Sequence, residues 1–216
     1  MRPSIAAPGV AALVLVLGCA SSSSDANGPI APTRSIAVPP NTDALTGYGN
    51  TFALEFTDVS NNGSFAGFRA TLQLYRWDAA YPKDLLDLGT VYLGVDTLYQ
   101  RLSDIALSAD RATVTLNFND APSGWVAVVD TSGPTPSSAV TVPLSFTIDR
   151  AVASGRWLLA AAANALTLVD LESPGFPVVK TFDMGTTATL LLAVSDGFLV
   201  FTNAGYGHVT PDAAAA

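Results

Sequence analysis

An all-β fold, built as a β-propeller-like array of four-stranded antiparallel blades, is predicted by three observations. Short apolar runs of four to eight residues recur along the 216-residue chain, each bounded by Gly, Pro, Asn, Asp or Ser, a pattern of strands rather than helices. Sixteen of the eighteen acidic residues are Asp and only two are Glu. Asp favours turns and Glu favours helices, so the bias points to a loop-rich β protein. The apolar runs also recur in sets of four at a period near 40 residues. Blades repeat in this way, whereas a β-sandwich, the alternative architecture, has turns every 8 to 12 residues without such self-similarity.

Residues 1–18 read as an export signal. Met1-Arg2 supplies a positive start and Ile5 to Leu17 is almost wholly apolar. That core is about a dozen residues, shorter than the roughly 20 a membrane-spanning helix needs. Cys19, the only cysteine, follows directly in Val16-Leu17-Gly18-Cys19. This run resembles the lipobox of bacterial lipoproteins. The resemblance implies that the Cys19 thiol receives a diacylglyceryl group and that residues 1–18 are removed. It also implies that the new amino terminus is acylated, with palmitate-type chains. A single chain anchors only marginally at about 0.8 kcal/mol per buried methylene, and two or more make attachment durable. Ala20 stands where a retention aspartate would, which by the enteric pattern implies the bacterial outer membrane. An ordinary secretory signal is the alternative, since Gly18-Cys19-Ala20 also offers small residues for cleavage.

Residues 19–33 are expected to be the lipidated cysteine and a flexible tether. Ala20 to Thr33 is small and polar with Gly and Pro. As a coil it would hold the body roughly 20 Å from the bilayer.

Residues 34–204 are expected to form the repeat domain. Four matching segments, Ser35–Val38, Asp104–Asp110, Ala151–Gly155 and Leu192–Gly197, are each predicted as an apolar first strand closing on a turn. Second strands follow at Thr51–Thr57, Ala112–Asn117, Arg156–Ala161 and Gly197–Thr202. Third strands follow at Ala70–Trp77, Trp125–Asp130 and Leu166–Asp170, and fourth strands at Leu86–Leu93, Val140–Ser145 and Val178–Phe182. Asp130 and Asp170 lie 40 residues apart at matching strand ends, and Pro136 and Pro177 lie 41 apart in matching turns.

The segments Val126-Ala-Val-Val-Asp130-Thr-Ser-Gly-Pro-Thr-Pro136 and Leu166-Thr-Leu-Val-Asp170-Leu-Glu-Ser-Pro-Gly-Phe-Pro177 resemble the LVIVP-type repeat of secreted bacterial β-propellers. The resemblance covers about residues 125–200 and implies architecture, with no activity attached. Its aspartates and prolines are turn-formers. The pattern amounts to about three and a half blades, and residues 205–216 are expected to be a disordered tail. An arc of blades leaves an open edge that invites association. Three resolutions stand: a truncated reading of a longer gene, which the missing outer strands favour; partner chains that complete the ring; or residues 34–50 pairing with the last strands.

The net charge of −8 becomes −9 when Arg2 leaves with the signal. That charge argues against nucleic acid, whose phosphates need Lys and Arg, and against docking on anionic lipid. It suits solubility outside the cell. With Cys19 used as the anchor, no thiol remains for a disulfide, metal site or nucleophile. His208 is the sole histidine, too few for a metal site or a Ser-His-Asp arrangement set among strands. No P-loop, dinucleotide fingerprint or Gly-x-Ser-x-Gly elbow occurs. Asp58-Val-Ser-Asn-Asn-Gly-Ser64 is oxygen-rich but lacks calcium-loop spacing and a bidentate Glu. Tyr75, Trp77, Tyr81, Tyr92, Tyr99, Trp125 and Trp157 suit either a sugar or peptide site at one mouth, or blade packing, which Trp125 and Trp157 fit better. No catalytic residue, cofactor or metal is expected. The sequence thus reads as a lipid-anchored envelope module that binds a protein or glycan without catalysis. The alternative is a piece of a propeller lyase or hydrolase whose catalytic residues lie elsewhere.

Overall fold

The computed structural model describes residues 42–62, 65–77, 85–96, 100–118 and 121–211. Their regular elements are fifteen strands in four antiparallel sheets, each a meander in sequence order. The first sheet holds β1 (Thr42–Tyr48), β2 (Thr51–Asn62), β3 (Phe65–Trp77) and β4 (Leu85–Asp96). The second holds β5 (Gln100–Leu107), β6 (Arg111–Phe118), β7 (Gly124–Asp130) and β8 (Val140–Leu144). The third holds β9 (Arg150–Ser154), β10 (Trp157–Ala162), β11 (Ala165–Asp170) and β12 (Val178–Asp183), and the fourth β13 (Ala188–Val194), β14 (Gly197–Thr202) and β15 (Gly205–Val209).

The sheets stack face to face in chain order. Leu72, Leu74 and Val91 of the first meet Ile105, Val114 and Val129 of the second. The opposite side of the second sheet, with Val126, Val128 and Val142, meets Ala151, Leu158 and Val169 of the third. Val152, Leu159 and Leu168 then leave the other side of the third sheet to meet Leu191, Phe198 and Val200 of the fourth. The two middle sheets are therefore covered on both sides. For that reason β6 is buried without a break from Ala112 to Asn117, and β10 from Leu158 to Ala161. Side chains alternate between faces, so a strand covered on both sides is buried at every position; β10 is apolar throughout that run, while β6 buries Thr113, Thr115 and Asn117 among its apolar residues. The first strands stand side by side: β1 by β5, β5 by β9, and β9 by β13.

Polar ties join neighbouring sheets. The Asn117 amide donates to Ile148 O at 2.7 Å and accepts from Ile148 N at 2.8 Å, so one buried side chain serves as a peptide group. Thr113 Oγ1 donates to Ala151 O at 2.9 Å, Gly155 N donates to Asp110 at 2.8 Å, and Arg76 Nη2 donates to Thr131 O at 2.6 Å. Within the third sheet, Arg156 forks onto Asp170 at 2.9 and 2.5 Å. Asp170 also accepts from Ser173 Oγ at 2.6 Å and Glu172 N at 3.0 Å. Arg156 and then Ser173 hold the Asp170 carboxyl well below the usual carboxylate range, as charge-assisted donors do. Asp130 is built alike: Ser132 donates to it at 2.7 and 2.9 Å, and Arg111 Nη1 lies 2.5 Å away. The Ser132 hydrogen bond comes first in lowering the Asp130 pKa.

Two expectations are corrected. The first strand of the first sheet is Thr42–Tyr48, and it pairs with β2 rather than with the last strands; Ser35–Val38 lies outside the described residues. Gly205–Val209, expected as disordered tail, is the third strand of the last sheet. A two-residue turn at Asn203-Ala204 returns the chain, and Ala204 N donates to Thr202 Oγ1 at 3.2 Å. Gly197 makes this close return possible. It holds φ +150°, and a Cβ there would run into the Val209 carbonyl. The array is thus four sheets rather than three and a half, the last with three strands.

Leu159 is completely buried between the third and fourth sheets; Leu159→Ala is expected to cost about 2–5 kcal/mol, read from urea unfolding. Thr115 Oγ1 is buried with no hydrogen-bond partner among the described residues. Thr115→Val keeps the shape and removes an unmatched hydroxyl, so it should raise stability by about 1 kcal/mol in the same assay. A depressed folded-state pKa means that the stabilisation from Asp170 is complete above its ordinary value of 3.8 and is lost as pH falls below it. The melting-temperature gap between wild type and Asp170→Asn should therefore be full at pH 7 and shrink below about pH 4.

Candidate functional site

A cleft of ≈ 350 Å³ opens where the third and fourth sheets meet. Leu166, Met184 and Val200 make its apolar floor, and Thr202, Tyr206 and His208 are part of its rim. Leu166 comes from β11 and Met184 follows β12, so the third sheet supplies one wall. The other wall is β14 and β15. The positions equivalent to β15 in the other sheets are β3, β7 and β11, each the third strand. β7 and β11 are largely buried, as are residues 70–74 of β3, whereas β15 is exposed from Gly205 to His208. The cleft therefore runs along an uncovered strand edge.

His208, expected in a frayed tail, sits on β15 with Nε2 3.3 Å from Asp196 Oδ1 in the β13–β14 turn. Thr202 Oγ1, at the turn end of the same hairpin, donates to Gly205 O at 3.2 Å. This arrangement offers an apolar floor, backbone groups and hydroxyls, which suits holding a ligand. Among the described residues, no three His, Cys, Asp or Glu side chains gather as metal ligands would.

The predicted residues are dispersed. Cys19, Tyr81 and Tyr99 lie outside the described residues. Asp58–Asn62 is the end of β2, paired with β3, rather than a calcium-type loop. Tyr75 stacks on Phe52 with ring centroids 5.2 Å apart, and burial followed by the charge of Asp87 raises its pKa. Trp125 meets Phe118 edge to face at 5.0 Å and packs on the core between the first two sheets. Trp157 packs on the core between the last two, with the Arg156 guanidinium 5.0 Å above its ring. Tyr92 is exposed on β4 and Trp77 ends β3. Among the described residues, Tyr75 and Trp125 each pair with a phenylalanine rather than with one another, and Asp130 and Asp170 are each held in their own turn network.

Sequence reasoning missed the arginine partners of those aspartates. Arg111 opens β6 opposite Asp130, and Arg156, 45 residues on, directly precedes β10, whose first residue Trp157 pairs with Asp170. That Arg spacing beside the Asp spacing of 40 was the available signal. Also missed was Asp104, 3.4 Å from Arg150 across β5 and β9. Burial raises its pKa, and the Arg150 charge opposes that rise. No sequence period pairs first strands of different sheets, so this contact had no linear trace.

No family model matches the chain, and no curated protein matches it. Among solved structures, the crystal structure of the computationally designed Ika4 protein is similar at a TM-score of 0.43 and 12% identity, over 78% of this chain and 91% of that one.

Proposed function

We propose that the chain is a bacterial lipoprotein held at the outer membrane through Cys19, and that its sheets form a propeller-like array presenting a non-catalytic surface to a protein or glycan. The observation that carries the reading is the order of the first strands. β1, β5, β9 and β13 stand side by side, and each sheet meanders away from that line as a blade does from its axis. The lipobox-like Val16-Leu17-Gly18-Cys19 supports the anchor. Among the described residues no helix is long and apolar enough to cross a membrane. The cleft between the third and fourth sheets is the place for a ligand, since its floor is apolar and its rim carries hydroxyls and backbone groups.

The anchor is tested by expressing the full chain and Cys19→Ser in a bacterial host fed radiolabelled palmitate. Wild type should incorporate label and sediment with outer-membrane fractions. Cys19→Ser should lose the label and move to the soluble fraction. Unlabelled wild-type protein, or equal sedimentation of the two, would overturn the lipoprotein reading.

A further inference from the structure

We infer that the outer edge of β15 is a docking site for an extended peptide of a partner protein, apolar at alternate positions, which adds to the fourth sheet as its fourth strand. The inference rests on the protein-binding reading above and names the partner's chemistry.

The other three sheets supply the template. In each, a fourth strand covers the edge of the third: β4 on β3, β8 on β7 and β12 on β11. Alternate side chains of these strands reach the core between sheets. Val91 and Leu93 do so from β4, Val142 and Leu144 from β8, and Phe182 from β12. In the fourth sheet nothing among the described strands pairs with the outer side of β15. The ≈ 350 Å³ cleft lies beside it, with Leu166, Met184 and Val200 as its floor. Adding a strand there continues an interface already built three times in the molecule.

The backbone of β15 is ready for such a strand. The β14–β15 hairpin closes with Thr202 opposite Gly205 around a two-residue turn. Hydrogen-bonded and non-bonded pairs alternate from that closing pair, so Tyr206 and His208 turn their N–H and C=O groups away from β14. Unpaired edge groups of this kind are the template for strand addition. Main-chain bonds supply affinity there, and pockets for alternate side chains supply selectivity. Tyr206 is 77% exposed, and none of the described strands pairs with its outer side.

The test uses the full chain in mild detergent and a fluorescent peptide with the β12 sequence, Pro-Val-Val-Lys-Thr-Phe-Asp. Fluorescence anisotropy should show saturable binding. N-methylation of alternate peptide amides should weaken it about tenfold, the loss of one or two net hydrogen bonds. His208→Pro, which removes an outward N–H, should weaken binding similarly, and by more than His208→Ala, which keeps that N–H and removes only the side chain. If His208→Pro melts abnormally, the N-methylated peptide decides alone. Three results would overturn the inference: absence of binding, equal binding of a scrambled peptide, or occupation of the edge by a second copy of the chain. Palmitate labelling of Cys19 reads the anchor independently, so failure here and failure of the lipoprotein reading are separable.

Discussion

A sheet that is apolar on both faces cannot stand alone in water, and this constraint organises the molecule. The second and third sheets carry Ala112 to Asn117 and Leu158 to Ala161 as unbroken buried runs. Each demands a neighbour on either side, because burial of apolar area is the main favourable term in folding. The stacking order follows: one face of each sheet meets the opposite face of the next. The first strands are brought together as a consequence.

Packing alone leaves sheets free to slide, and the polar ties limit this. Asn117 joins the second sheet to the approach of β9 through both of its amide atoms. Asp110 reaches from one turn to the backbone of the next at Gly155. Such bonds are modest in net energy but costly to leave half-made in a buried place. They therefore act on register more than on total stability. The Arg–Asp forks at Asp130 and Asp170 do comparable work inside single sheets, clamping the end of a third strand to the start of a second.

The fourth sheet, like the first, packs on a single neighbour, and its edge differs from those of its siblings. Leu190 and Leu192 of β13 are exposed at 42% and 38%, since the sheet packs on one neighbour only. Its edge strand β15 is exposed where β7 and β11 are buried. The place where the regular pattern stops is also the place where backbone groups, an apolar floor and His208 come together.

Much of the strand order was legible in the residues. Ala112–Asn117, Trp125–Asp130 and Leu166–Asp170 were expected as strands and appear within β6, β7 and β11, because short runs rich in Val, Leu and Thr between turn residues favour the extended conformation. Asp130 and Asp170 were expected as turn-formers, and both cap turns through their carboxylates. Thr42–Tyr48 and Gly205–Val209 were not expected as strands. The segments TDALTGY and GYGHV hold few apolar residues, and pairing with β2 and β14 makes them strands. The sequence by itself determined where strands begin and turn, since alternation and turn chemistry are local. Only the tertiary structure decided which faces meet, that Asp104 finds Arg150, and that a cleft opens beside β15. Those depend on contacts between residues tens of positions apart, which no local pattern encodes.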